Sequence, residues 1–88
     1  MTEIELVLTN KSGLHARPAA QFVQKAAAFK SKVSIQVGNR IAEAKSILAV
    51  MGLGLGPGAA FLLKAEGEDE AECVAELKAL VERNFGEG

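Results

Sequence analysis

Two short alternating runs in the middle of the chain flank the dipeptide Gly38-Asn39, within residues 32–44, KVSIQVGNRIAEA. Alternation of apolar and polar residues is typical of a strand with one buried face. Gly-Asn between two such runs predicts a two-residue hairpin turn, because both residues accept a positive φ. Pairing across this turn sets Ile35 opposite Ala42. The stretch therefore predicts an antiparallel strand pair with a defined register.

The same patterns, followed outward from the hairpin, predict two further strands and three helices. Strands are expected at residues 3–9, 32–37, 40–44 and 59–66, and helices near residues 16–27, at residues 47–51 and after residues 68–70. The order of elements is therefore βαββαβα. Because 88 residues can cover only one face of such a sheet, we predict a single-domain (1–88) α+β protein, a two-layer open-faced sandwich.

Several local signals predict where the helices begin and end. Ser46 offers a hydroxyl as N-cap of the second helix, and Gly52 is expected to end it. Lys78 and Arg83 lie toward the end of the third helix, where positive charge complements the helix dipole. The last three residues, 86–88, are expected to fray.

Composition excludes several classes of function. The net charge of −1 and the lack of stacking aromatics on the strands argue against nucleic-acid binding. No apolar run approaches the length of a membrane span, and residues 1–5 lack the basic start of a signal peptide. One cysteine, Cys73, and one histidine make neither a disulfide framework nor a metal-ligand cluster. We therefore expect a cytoplasmic protein without membrane insertion, metal or cofactor, in which Cys73 is a packing residue.

A glycine-rich segment at residues 53–58, LGLGPG, invites comparison with phosphate-binding loops. It lacks the Gly-Lys-Ser/Thr ending of a P-loop, and its glycines do not fit the dinucleotide-binding fingerprint. We interpret the segment as a tight connector.

The only histidine, His15, lies where a polar loop turns into the first helix. Pro18 is tolerated in the first turn of a helix, where its missing N–H has no partner in any case. The helix is therefore predicted to begin near Ala16, with His15 as its N-cap.

This position predicts a chemistry for the imidazole. The unpaired amides of Ala16 and Arg17 and the helix dipole favour an anion, and the Arg17 guanidinium suits phosphate oxygens. A neutral imidazole is a nucleophile that forms covalent intermediates. Together these groups indicate a phosphohistidine, although a single histidine before a helix is more often only a solvated cap.

The second helix is expected to expose apolar side chains. Residues 47–51 are all apolar, and a turn and a half of helix has only one buried face. Some of these side chains are then available as a contact patch. The alternative is a short helix fully buried under a loop.

Two separated motifs, GLHARPA at residues 13–19 and AKSILAVMGLG at residues 44–54, resemble the HPr family. These proteins are the histidine phosphocarriers of the bacterial phosphotransferase system, and the resemblance covers essentially the whole chain. It implies an antiparallel sheet in the order 1-4-2-3.

The resemblance also implies a function as a phosphoryl carrier rather than an enzyme. His15 would accept a phosphoryl group at Nδ1 from enzyme I and pass it to enzyme IIA domains in phosphoenolpyruvate-dependent sugar uptake. Arg17 would assist the transfer, and the phosphate would contact the amides of Ala16 and Arg17 and the Ser12 hydroxyl. A carrier for a nitrogen-related branch and a pure interaction module without phosphotransfer are the alternatives.

Partner contacts and regulation are further implications of the resemblance. A monomer is expected, and the residues expected to bind partners are Ala20, Gln24, Ile47, Leu48 and Met51. In some bacteria, HPr kinase/phosphorylase modifies the serine that matches Ser46, and the product binds a catabolite-control transcription regulator. Other bacteria with similar sequences lack the kinase, and the sequence does not separate the two cases.

Overall fold

The computed structural model describes residues 1–87 and contains four strands and three helices. Their order is βαββαβα, as predicted, and a single 3₁₀ turn follows the last helix at Asn84–Gly86. The elements are β1 (Thr2–Val7), α1 (Ala16–Ala27), β2 (Lys32–Val37), β3 (Arg40–Glu43), α2 (Ile47–Gly52), β4 (Ala60–Glu66) and α3 (Glu70–Glu82). β2 has the predicted bounds, and the other strands differ from theirs by one or two residues at one or both ends.

The four strands form one antiparallel sheet in the order β1-β4-β2-β3. This confirms both the predicted fold class and the strand order that the resemblance implied. Ile35 pairs with Ala42, as expected from a two-residue turn, and Gly38 in that turn has a φ of +59°. The turn sequence thus sets the register of the β2–β3 pair.

Alternate strand residues are buried because the helices pack on one face of the sheet. The inward side chains include Leu6, Val33, Ile35, Phe61, Leu63 and Ala65. Phe22 of α1 meets Phe61 edge-on, with ring centroids 6.1 Å apart. On the other face Ile41 remains 66% exposed. The core therefore lies between the sheet and the helices. Packing in this core fixes the positions of α1 and α2 and so of their ends.

The end of α2 differs from the prediction. Gly52 lies within the helix, Leu53 is its C-cap in right-handed conformation, and the left-handed residue is Gly54, with φ +65°. The Arg40 guanidinium donates to the carbonyls of Gly52 and Leu53. The helix does end at Gly52, one residue beyond the predicted last residue Met51, and the Arg40 side chain from β3 satisfies the carbonyls at this end.

The end of α3 also differs. Its last turn contains no basic residue, because Lys78 lies earlier and Arg83 is already the C-cap. The helix ends at Glu82 because the chain then takes positive φ values, 55° at both Asn84 and Phe85. The expected charge complement to the helix dipole is therefore left to Arg83 at the C-cap, since Lys78 lies outside the last turn.

The predicted fraying is wrong for the described part of the terminus. Phe85 is only 4% exposed, and the Glu87 amide donates to the Asn84 carbonyl at 2.8 Å. Burial of Phe85 in the core holds this segment against the rest of the molecule. Gly88, the third residue of the prediction, lies outside the described residues.

Candidate functional site

His15 is the N-cap of α1, as predicted. Its backbone is extended, with φ −133° and ψ 153°, and its carbonyl accepts the Ala19 amide at 3.4 Å. The side chain is exposed and makes no capping hydrogen bond. No group within residues 1–87 forms a hydrogen bond with the imidazole, so the ring is accessible to another molecule.

The first amides of α1 lie next to this ring. Those of Ala16 and Arg17 have no acceptor within residues 1–87, and Pro18 has no amide proton to donate. Ala16 has a φ of +40°, a backbone angle that residues other than glycine rarely adopt and that costs about 1–3 kcal/mol. The strained residue, Ala16, thus directly follows His15, and the two unpaired amide donors are its own and that of the exposed Arg17.

The glycine-rich connector supports the loop that carries His15. It contains no helix or strand over residues 53–58, as expected of a connector, and its Leu55 carbonyl accepts the Leu14 amide at 2.9 Å. A Cβ at Gly13 would lie 2.5 Å from that carbonyl oxygen and 2.7 Å from Gly56. Only glycine therefore fits at position 13. The sequence showed a flexible residue there but not this close approach.

The Ser12 hydroxyl has a partner that the sequence did not indicate. It donates to the Glu87 carboxylate at 3.0 Å and 3.2 Å, and the Ser12 amide donates to it at 3.4 Å. Asn10 Nδ2 donates to the same carboxylate and to the Gly13 carbonyl, each at 2.9 Å. The hydrogen bonds from Asn10 and then Ser12 lower the pKa of Glu87, and the charge of Arg17 contributes in the same direction.

The exposed face of α2 lies beside α1. Leu48 is 82% exposed and Ile47 is 39% exposed, whereas Val50 is buried and Met51 is half-buried against the core. The prediction of an exposed apolar patch is confirmed, and the alternative of a fully buried helix is wrong. Ser46 caps this helix, because its hydroxyl accepts the Ala49 amide at 3.3 Å.

Two other predicted partner residues lie on α1, which packs against α2. Gln24 is exposed and Ala20 is half-buried. The structure thus places α1 and α2 side by side, with His15 at the beginning of α1 and Leu48 in the first turn of α2.

The described residues contain few alternative sites. Over residues 1–87 no group of three or more His, Cys, Asp or Glu side chains is arranged to hold a metal ion. No helix in this part of the chain is both long enough and apolar enough to cross a bilayer. Cys73 is buried in α3, as expected of a packing residue, and burial raises the pKa of its thiol.

The exposed histidine lies within a region that matches a known protein family. The family described as "PTS HPr component phosphorylation site" matches residues 2–83. The chain belongs to the HPr family of phosphotransferase-system phosphocarriers. The match includes both the His15 loop and α2, the two regions that the geometry singles out.

Individual HPr proteins resemble the chain over nearly its whole length. The phosphocarrier protein HPr of Haemophilus influenzae is 42% identical over 79 residues, which cover 90% of this chain and 91% of the relative. The crystal structure of HPr-C-His from Thermoanaerobacter tengcongensis has a TM-score of 0.98 at 45% identity and covers 100% of this chain and 99% of its own. An HPr dimer from the same organism has a TM-score of 0.77 at 44% identity and covers 99% of this chain and 100% of its own.

Proposed function

We propose that this HPr-family protein carries a phosphoryl group on His15, which it accepts from enzyme I and donates to enzyme IIA domains. The observation that supports this most directly is the exposed, unpartnered imidazole at the beginning of α1. The unpaired amides of Ala16 and Arg17 and the Arg17 guanidinium lie next to it in the chain. These groups provide a nucleophile and donors for phosphate oxygens in one place.

In the accepting step, the imidazole Nδ1 attacks the phosphorus of phospho-enzyme I in line with the leaving atom. The Nδ1 lone pair forms the new N–P bond, while the electron pair of the breaking bond stays on the donor. Negative charge on the transferring oxygens is stabilised by the Ala16 and Arg17 amides and by the guanidinium. The donating step is the same displacement with a nucleophile of the enzyme IIA domain.

An exposed site suits a carrier better than a deep pocket does. The phosphoryl group must be held between two transfers, yet it must leave as soon as the next partner docks. Few contacts around His15 satisfy both demands, and the partners supply the remaining alignment.

A pulse and chase tests the carrier role. The protein is incubated with enzyme I and labelled phosphoenolpyruvate, separated from both, and then mixed with an enzyme IIA domain. We expect the label to appear on the protein and then to move to the IIA domain without further enzyme I. Label that stays on the protein, or that never reaches it, would contradict the proposal.

We also propose that partners dock across the adjacent faces of α1 and α2. The candidates are Ala20 and Gln24 on α1 and Ile47, Leu48 and Met51 on α2. Leu48 contributes the largest exposed apolar surface of this group, whereas half-burial of Met51 leaves it a smaller contact. Because α1 begins next to His15 and packs against α2, docking across these two helices would bring a partner close to the imidazole.

Ser46 is proposed as a regulatory phosphorylation site. Its hydroxyl caps α2 next to the exposed Ile47 and Leu48, so a phosphate would add about two negative charges beside the docking face. We expect HPr kinase/phosphorylase to modify wild-type protein but not Ser46→Ala, and the modified protein to bind enzyme I less tightly and a catabolite-control regulator more tightly. Failure of the kinase to modify wild-type protein would remove the proposal.

Two further proposals follow from family membership: the branch of the phosphotransferase system that the protein serves, and its assembly state. We propose a cytoplasmic monomer that serves sugar uptake, although a solved relative is an HPr dimer. Parallel transfer assays with enzyme I of the sugar branch and of the nitrogen-related branch test the first point. Sedimentation at working concentration tests the second.

A further inference from the structure

The carbonyls at the end of α2 are paired in two different ways. Backbone amides of the following turn donate to the carbonyls of Val50 and Met51, at 3.2 Å and 3.1 Å. No backbone amide within residues 1–87 donates to the next two carbonyls, those of Gly52 and Leu53. These two are paired by Arg40, whose Nη1 donates to the Leu53 carbonyl at 3.3 Å and whose Nη2 donates to the Gly52 carbonyl. One side chain therefore supplies half of the donors that a helix end requires.

Arg40 reaches the end of α2 from another element. It is the first residue of β3, directly after the two-residue turn at 38–39, and alternation along the strand puts it on the same face of the sheet as the buried Ala42. It forms no ion pair with a carboxylate within residues 1–87. The planar fork of its guanidinium serves two neighbouring carbonyls at once, and its charge complements the negative end of the helix.

The second helix depends on such an anchor because it is short. A helix of six residues is not stable by itself in water, so its position must come from contacts with the rest of the molecule. Val50 is the only buried side chain within α2. The two hydrogen bonds from Arg40 therefore contribute to keeping the end of α2 against β3.

The same contact lies at the beginning of the connector that supports the His15 loop. Arg40 donates to the carbonyl of Leu53, and two residues later the Leu55 carbonyl accepts the Leu14 amide at 2.9 Å. Leu14 directly precedes His15. A series of direct contacts thus joins β3, the end of α2 and the loop that carries the imidazole.

We propose that Arg40 is a positioning residue for partner docking. It fixes the end of α2 and the beginning of the connector, and in this way it sets the position of the exposed Leu48 relative to His15. The proposal rests on the proposed function, and it adds to the site a residue that lies outside both sequence motifs, 13–19 and 44–54. Arg40 acts through α2 and the connector and does not itself touch the phosphoryl group.

Partner affinity tests the effect on docking. Arg40→Met keeps an unbranched apolar side chain and removes both donors, so we expect its Kd for an enzyme IIA domain to rise about threefold to tenfold. Arg40→Lys keeps the charge without the fork, and its Kd should lie between those of wild type and Arg40→Met. Lys32→Met, at an exposed residue that begins β2, is the control for the lost charge and should bind like wild type.

Amide hydrogen exchange measures the positioning without any partner. The Gly54 amide reports the end of α2 and the Leu14 amide reports the attachment of the His15 loop, since each donates to a backbone carbonyl. Both should exchange about threefold to tenfold faster in Arg40→Met than in wild type. Glu70→Gln, at the beginning of α3, is the control for reduced global stability. It should leave both rates unchanged, because amides at helix ends and in loops exchange by local opening.

The two measurements together decide the inference. Equal Kd values for Arg40→Met and Lys32→Met would overturn it, since Arg40 would then have no effect on docking. A higher Kd in Arg40→Met with unchanged exchange at Gly54 and Leu14 would also overturn it, because Arg40 would then be a direct partner contact. Failure of the wild type to accept a phosphoryl group contradicts the proposed function instead, and the exchange rates still test the positioning.

Discussion

The Leu55 carbonyl accepts the Leu14 amide at 2.9 Å, and this bond attaches the His15 loop to the connector between α2 and β4. Gly13 makes the approach feasible, since a side chain there would overlap the Leu55 carbonyl oxygen. The connector thus sets the path by which the chain reaches the first turn of α1. Disturbing it should disturb the position of the imidazole.

Gly13→Ala tests this relationship. We expect a loss of about 2–3 kcal/mol in the free energy of unfolding, because the new Cβ overlaps Leu55 and the positive φ disfavours alanine. Gly38→Ala is the matched control, because Gly38 also has a positive φ but its added Cβ would meet nothing within 4 Å. That variant should lose only about 1 kcal/mol. Equal losses in chemical denaturation would show that the packing on Leu55 does not matter.

Arg17→Ala should slow phosphoryl transfer without unfolding the protein. The guanidinium is exposed, so its removal costs little stability, but the transferring oxygens lose a charged donor. We expect rates about tenfold to a hundredfold lower in rapid-quench assays with enzyme I, and a smaller loss in Arg17→Lys, which keeps the charge but not the fork. Wild-type rates in both directions would refute the role.

Leu48→Glu should weaken docking more than folding. Its side chain is 82% exposed, so the substitution leaves the core intact and places a charge on the proposed contact face. We expect the Kd for enzyme I to rise about tenfold. Ile41→Glu, at an apolar residue 66% exposed on the opposite face of the sheet, is the control and should bind like wild type. Similar affinities for the two variants would count against the α2 surface.

The ionisation of Glu70 should make the free energy of unfolding depend on pH. Its pKa is lowered from 4.5 to about 2, chiefly by the Thr2 hydroxyl and further by the Gly67 amide and the N-terminal amine of Met1. A lowered pKa contributes stability above the unfolded value, and this contribution is lost as the pH falls from 4.5 through about 2. Thermal unfolding over this range should depend less on pH in Glu70→Gln than in wild type or Glu3→Gln. Parallel pH profiles for all three would exclude the effect.

Local signals predicted the parts of the fold and the site that depend on neighbouring residues. A two-residue turn allows one register, so Ile35 and Ala42 were paired correctly. Pro18 in the first turn located the beginning of α1 and made His15 its N-cap. In each case the deciding interaction spans only a few positions in the chain.

Contacts between distant segments explain what the sequence did not reveal. The end of α2 depends on Arg40, which lies in another element and donates to the last carbonyls of the helix. Glu87 reaches Ser12 across 75 positions, and neither residue alone indicates the pair. Likewise, position 13 requires glycine because the fold brings the distant Leu55 against it, and the local sequence indicates only flexibility there.

The most direct test of the central claim is to locate the phosphoryl group after incubation with enzyme I and phosphoenolpyruvate. Peptide mapping under alkaline conditions, together with phosphorus NMR, identifies the residue and the atom. We expect one phosphohistidine, at Nδ1 of His15, and no label in His15→Ala, whose fold should remain intact. A phosphoryl group on another residue, or acid-labile label that persists in His15→Ala, would contradict it.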